Sequence, residues 1–164
     1  SSHRRPRGRM AMSAYADSSF IAACYLAESH SAGALAFLKK ENPRLPVNWL
    51  HRVELTKTIW TRLSDPISCW RVLEADVESR RKLYSESADG ETVALRAAAL
   101  LKKHLPRWKK LRSLDAIHVA AAIEGGFGEF LSFDTNSFQR ILAHSEGLSV
   151  WPKLTGAEHR KLKS

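Results

Sequence analysis

Cysteine is scarce in this chain, with two in 164 residues. Cys24 and Cys69 stand in helical patterns without metal-ligand spacing, so they read as ordinary thiols of a reducing, cytoplasmic compartment rather than as a disulfide. No uncharged run approaches the roughly 18 apolar residues that a membrane helix needs. The N-terminus is basic but lacks the apolar stretch of a secretory signal. There is no G-x-x-x-x-G-K-[ST] phosphate loop, no internal repeat, and no serine–histidine–acid arrangement supported by spacing. These absences argue against a disulfide-stapled scaffold, a membrane span, a repeat array and a P-loop enzyme.

Acid is also in short supply: 17 Asp and Glu face 26 Lys and Arg, for a net charge of +9. The excess lies mostly at the ends. Residues 1–9 carry four arginines and no acid, giving +4; Lys153, Arg160, Lys161 and Lys163 against Glu158 give residues 153–164 +3; the remaining +2 belongs to residues 10–152. This divides the chain into a basic arm over 1–12, foreign to the natural protein or an upstream extension, one globular domain over 13–152, and a basic tail over 153–164. With 44% hydrophobic residues the central part can bury a real core.

Hydrophobic patterning alternates strand and helix. "SAYAD" (13–17), "RLPVNW" (44–49), "EFLSF" (129–133) and "GLSVW" (147–151) read as short strands. Helices are expected over 18–28, 31–41, 50–63, 65–84, 92–105, 112–122 and 135–146. Pro66 suits the first position of its helix, and Gly125 and Gly126 close another. In "TVALRAAALLKKHL", Val93, Ala97, Leu100 and Leu101 form an amphipathic stripe. Leu114, Ile117, His118, Ala121 and Ala122 mark the packed face of the next helix. Strands separated by helices imply an α/β fold with a mainly parallel sheet covered on both faces.

In open α/β sheets, sites form where strands end and helices begin. Four acids fall there. Asp17 ends the first strand, Asp134 follows "EFLSF", Glu54 lies about one turn into the helix after the second strand, and Asp115 lies in the first turn of its helix, with Ser113 as the expected cap. Each acid alone has a bland explanation as a cap or surface charge. Together in one cleft they would repel one another, and a hard divalent cation such as Mg²⁺ or Mn²⁺ would relieve that repulsion.

"YADSSFIAACYLAES", "WLHRVELTKTI", "LRSLDAIHVAAAIEGG" and "EFLSFDTNSFQRILAHSEGLSVW" together resemble the successive motifs of PIN-domain proteins, and most of all the VapC toxins of toxin–antitoxin pairs. The resemblance spans about residues 13–152. It implies a three-layer α/β/α sandwich with a central parallel sheet and a Mg²⁺- or Mn²⁺-dependent endoribonuclease leaving 5′-phosphate and 3′-hydroxyl ends. It puts Asp17, Glu54, Asp115 and Asp134 in the catalytic, metal-binding set and Ser19 in support of Asp17. Asn136 stands where some relatives carry a further acid, which weakens a second metal site. The resemblance further implies RNA as substrate, a cognate antitoxin, a homodimer and no membrane. Other readings are a PIN nuclease of RNA processing without an antitoxin, and a catalytically silent RNA-binding or scaffold module.

"KKHLPRWKKLR" (102–112) holds six Lys or Arg residues and no acid, just before Asp115. Two readings of it stay open. Arg112, Lys109 and Lys110 would track a phosphate backbone while Trp108 stacks on a base, or the stretch is a solvated helix end whose lysines favour the dipole. His118 sits on the packed stripe and reads as a hydrogen-bonded core histidine rather than a metal ligand. Trp49, Trp60, Trp70 and Trp151 read as core or interface residues.

Overall fold

The computed structural model describes residues 13–164, so the basic arm over 1–12 lies outside the described residues. The chain runs β1 (Ala14–Ala16), α1 (Ser18–Tyr25), α2 (Ser31–Glu41), β2 (Leu45–Val47), α3 (Trp49–Arg62), α4 (Pro66–Ser79), β3 (Leu83–Ser85), α5 (Gly90–His104), α6 (Ser113–Glu124), β4 (Glu129–Leu131), α7 (Gln139–Ser145), β5 (Ser149–Trp151) and α8 (Gly156–Leu162). Every strand pairing is parallel: β1 with β4, β4 with β5, and β2 with β3. A parallel bridge from Ser13 to Arg44 sets β2 beside β1. The order is therefore β3-β2-β1-β4-β5, with the direction of winding reversing between β1 and β4.

Side chains on a strand alternate between faces, and β1 shows the consequence. Ala14 and Ala16 join one apolar cluster, with α1 to α4. Tyr15, between them, joins the other, with α5, α6 and α7. Phe130 and Leu131 on β4 divide in the same way. Helices thus cover both faces of a parallel sheet. No described helix is long and apolar enough to cross a membrane.

The helix expected over 18–28 stops at Tyr25, where Leu26 is extended, and three further segments depart from the sequence expectation. The helix expected over 65–84 stops at Ser79, where Arg80 takes a left-handed φ of 57°; the following residues form β3 on the edge of β2. The helix expected from 135 starts only at Gln139. Its first residues are held in a turn, with the Thr135 N–H bonded to the Phe133 carbonyl and the Asn136 N–H to Asp134 Oδ1. The domain also continues past Pro152, and part of the expected tail becomes α8.

Thr155 and Glu158 close a reciprocal capping box at the start of α8. Glu158 also meets Arg140 of α7 in an ion pair that is 1% exposed on both sides. The same guanidinium donates to the carbonyls of Ser132, Pro152 and Lys153. Breaking a buried pair from one side leaves an uncompensated charge. Glu158→Ala should therefore lower unfolding free energy by about 3–5 kcal/mol, read from urea denaturation.

Candidate active site

The winding reverses between β1 and β4, and the carboxyl ends of those strands open into a cleft of about 500 Å³. Asp17, Glu54, Asp115 and Asp134 all line it, as do Ser19 and Arg112. Four acids from distant parts of the chain thus meet at one sheet edge.

Asp17 is the N-cap of α1 and is only 4% exposed. Its Oδ1 accepts from the Phe20 N–H at 2.9 Å and from the Ser19 hydroxyl at 2.8 Å, while Oδ2 accepts from the Ser132 hydroxyl at 2.6 Å. Burial nevertheless pushes its pKa above the usual carboxylate value, against the pull of these bonds.

Asp115, 3% exposed, sits in the first turn of α6. Arg112, not Ser113, occupies the N-cap, and the Asp115 carboxylate reaches back to its N–H at 3.4 Å. Ser113 is already helical, and Asp115 supplies the half of a capping box that runs from the third helical residue back to the N-cap N–H. Burial raises the Asp115 pKa as well, despite the guanidinium of Arg112 beside it. That guanidinium lies 3.3 Å from Asp115 and 3.5 Å from Asp134, with 65% of its side chain exposed.

Glu54 is half-buried. Its Oε1 accepts from the Ser18 hydroxyl at 2.9 Å and meets His118 Nε2 at 2.5 Å. Burial opposes its ionisation, but His118 and Ser18 outweigh that and hold its pKa below the usual value. Among the described residues Oε2 has no hydrogen-bond partner.

Behind Glu54 the polar contacts continue inward. His118 Nδ1 lies 2.7 Å from the Tyr15 hydroxyl, which also accepts from Asn48 Nδ2 at 3.1 Å. His51 Nδ1 accepts from the Asn48 N–H, which leaves its Nε2–H to donate to the Ala16 carbonyl at 2.7 Å. His51 is fully buried, and burial, with His118 adding to it, drives its pKa down to about 3.

His118 is therefore a hydrogen-bonded core histidine, as its place on the helix suggested. Its contact with an acid of the cleft was not read from the sequence. The signal was there: His118 stands three residues after Asp115, on the same helix face. Leu114, assigned to the packed face, is half exposed and lines the cleft.

The remaining candidates separate. Asn136 is exposed and does not line the cleft; only its backbone N–H reaches Asp134. Lys109 and Lys110 are exposed in the turn before α6, outside the lining. Trp108 cannot serve as a base platform. It is 2% exposed, its Nε1 donates to the Lys161 carbonyl, and α8 covers it. Trp49 and Trp60 are 44% and 45% exposed and so do not belong to the core. Ser132 and Ser18 were missed, although Ser132 stands two residues before Asp134 and an extended segment turns alternate residues to one side.

The donors suit a hard cation in chemistry: oxygen atoms only, including two buried carboxylates whose ionisation is penalised. Among the described residues, however, no group of three or more His, Cys, Asp or Glu is arranged to hold a metal ion. Arg112 supplies positive charge between Asp115 and Asp134 instead. The set fits an ion that keeps several waters and uses few carboxylates, as Mg²⁺ does. No protein-family model matches the chain, and no curated protein matches its sequence.

Two outcomes follow for stability. In metal-free buffer at neutral pH, Asp17→Asn and Asp115→Asn should keep or raise the thermal midpoint, since each removes a buried charge and Asn still caps a helix. His51 is neutral when folded but takes a proton in the unfolded chain below about pH 6.5, so acidification toward pH 3 favours unfolding by about 1.4 kcal/mol per pH unit. The raised carboxyl groups of Asp17 and Asp115 act in the opposite direction, because they bind protons more readily when folded. The difference between wild type and His51→Gln in urea titrations between pH 7 and 4.5 isolates the histidine, and the variant should lack its slope.

Proposed function

We propose that this chain is a Mg²⁺- or Mn²⁺-dependent endoribonuclease of PIN type, acting as the toxin of a toxin–antitoxin pair. The observation that carries the reading is the meeting of Asp17, Glu54, Asp115 and Asp134 in one cleft at the reversal point of a parallel sheet. The motif resemblance supports it.

In this reading Asp17 and Asp115 hold the cation, with Asp134 and Glu54 completing the set through water. A bound divalent ion supplies positive charge for the phosphoryl oxygens and favours ionisation of the attacking water. The protein's own groups do the rest. Ser19, Ser132 and the Phe20 N–H fix both oxygens of Asp17, so its orientation is set before substrate arrives. Glu54 is held by Ser18 and His118 on one oxygen, which leaves the other to accept a proton from the water. The oxygen of that water bonds to phosphorus as the bond to the 3′ oxygen breaks, and the leaving 3′ oxygen takes a proton from solvent, giving a 5′-phosphate and a 3′-hydroxyl. Arg112, with 65% of its side chain exposed beside the acids, is placed to meet a substrate phosphate.

An antitoxin and a homodimer belong to this reading. Trp49, Val53 and Trp60 form an exposed apolar stripe on α3 that gives a protein partner a surface.

One observation favours a catalytically silent RNA-binding module instead: the Arg112 guanidinium already lies against two of the acids, Asp115 and Asp134. Incubation of the purified chain with total RNA separates the two. Cleavage should appear with Mn²⁺, vanish with EDTA and vanish in Asp115→Asn, with 5′-phosphate ends on the fragments. RNA binding without metal-dependent cleavage would establish the silent module.

A further inference from the structure

The cleft has a wall that the acids do not occupy. His30, just before α2, and Phe133, after β4, both line it. Their rings lie flat against each other, with 4.4 Å between centroids and 6° between planes. Phe133 stacks in turn on Phe20, at 5.3 Å and 11°. Phe20 is fully buried in the apolar cluster beneath. Three rings thus form a column rooted in the core and ending at the exposed ring of His30.

Local structure does not account for His30. It holds the N-cap position of α2, where Ser, Thr, Asp or Asn would accept a helix N–H, yet its side chain makes no capping bond. What the ring does have is one face on Phe133 and a position at the mouth of the cleft. Arg62 lies on the same wall, tied at 3.0 Å to Glu28, two residues before His30, with 57% of its side chain exposed. Arg112 stands beside the acids. A single strand of nucleic acid alternates flat bases with anionic phosphates. A flat ring and two guanidinium groups lining one cleft of about 500 Å³ match that alternation. An aromatic side chain of a protein partner would find the ring but would bring no anion for the arginines.

We propose that His30 and Phe133 form a nucleobase-stacking subsite for single-stranded RNA, with Arg62 on the adjoining phosphate. The proposal rests on the ribonuclease reading of the same cleft. Stacking on an aromatic ring tolerates any base, so the subsite sets strandedness and register rather than sequence.

The test is fluorescence anisotropy of a labelled single-stranded RNA with the full chain, in Ca²⁺ so that binding is read without turnover. His30→Ala should weaken binding about tenfold with an unchanged slope against salt, and His30→Trp should restore it. Arg62→Gln should instead reduce the slope of log affinity against log salt by about 0.7. A strand of the same length lacking bases should bind wild type and His30→Ala alike. Thermal midpoints confirm that each variant is folded. Equal binding by His30→Ala and wild type would overturn the subsite alone, as would equal weakening on the strand without bases. A folded wild type that binds no RNA would overturn the ribonuclease reading and the subsite with it.

Discussion

Ser132 is the point at which the acidic edge is held together. Its hydroxyl donates to Asp17 Oδ2 and accepts from the Asp134 N–H. Its own N–H donates to the Trp151 carbonyl, and its carbonyl takes the guanidinium of Arg140. One fully buried residue therefore joins the ends of β1, β4 and β5 and fixes two of the four acids relative to each other. The strands are only three residues long, so the ladder alone gives little rigidity at that edge. The side-chain bonds around Ser132 supply it.

The cleft is built at some electrostatic cost. Asp17 and Asp115 are buried where ionisation is disfavoured, and Arg112 offsets the charge from an exposed position where a guanidinium exchanges readily with water or another anion. Glu54 is treated differently. His118 and Ser18 keep it ionised, and Tyr15 and Asn48 continue the contacts into the interior. Two acids strained as anions and one held as an anion make a site poised for positive charge.

Much of this was legible in the sequence. The helix over 31–41 matches its expected bounds, because apolar spacing and a polar exit mark both ends. The four acids were found by asking which carboxylates follow strands, a question that needs only coarse element positions. What stayed hidden depends on tertiary partners. The break at Arg80 is a left-handed turn at a non-glycine residue, which no local signal marks. Trp108 reads as available for a base because its cover, α8, lies in a stretch whose composition is that of a basic tail. There the sequence did carry a sign: Thr155 and Glu158 have the spacing of a capping box, overshadowed by the basic residues around them. His30 and Phe133 stand far apart in the chain, and their stacking could not be read from either neighbourhood.

Chain order gives the Arg140–Glu158 pair a further meaning. Asp17 leaves the ribosome long before Arg140, and Arg140 cannot be buried without an unpaired charge until Glu158, eighteen residues later, has emerged. The guanidinium that steadies Ser132 is thus the last part of the edge to lock. During synthesis this brace on the acidic edge cannot form before Glu158 has emerged.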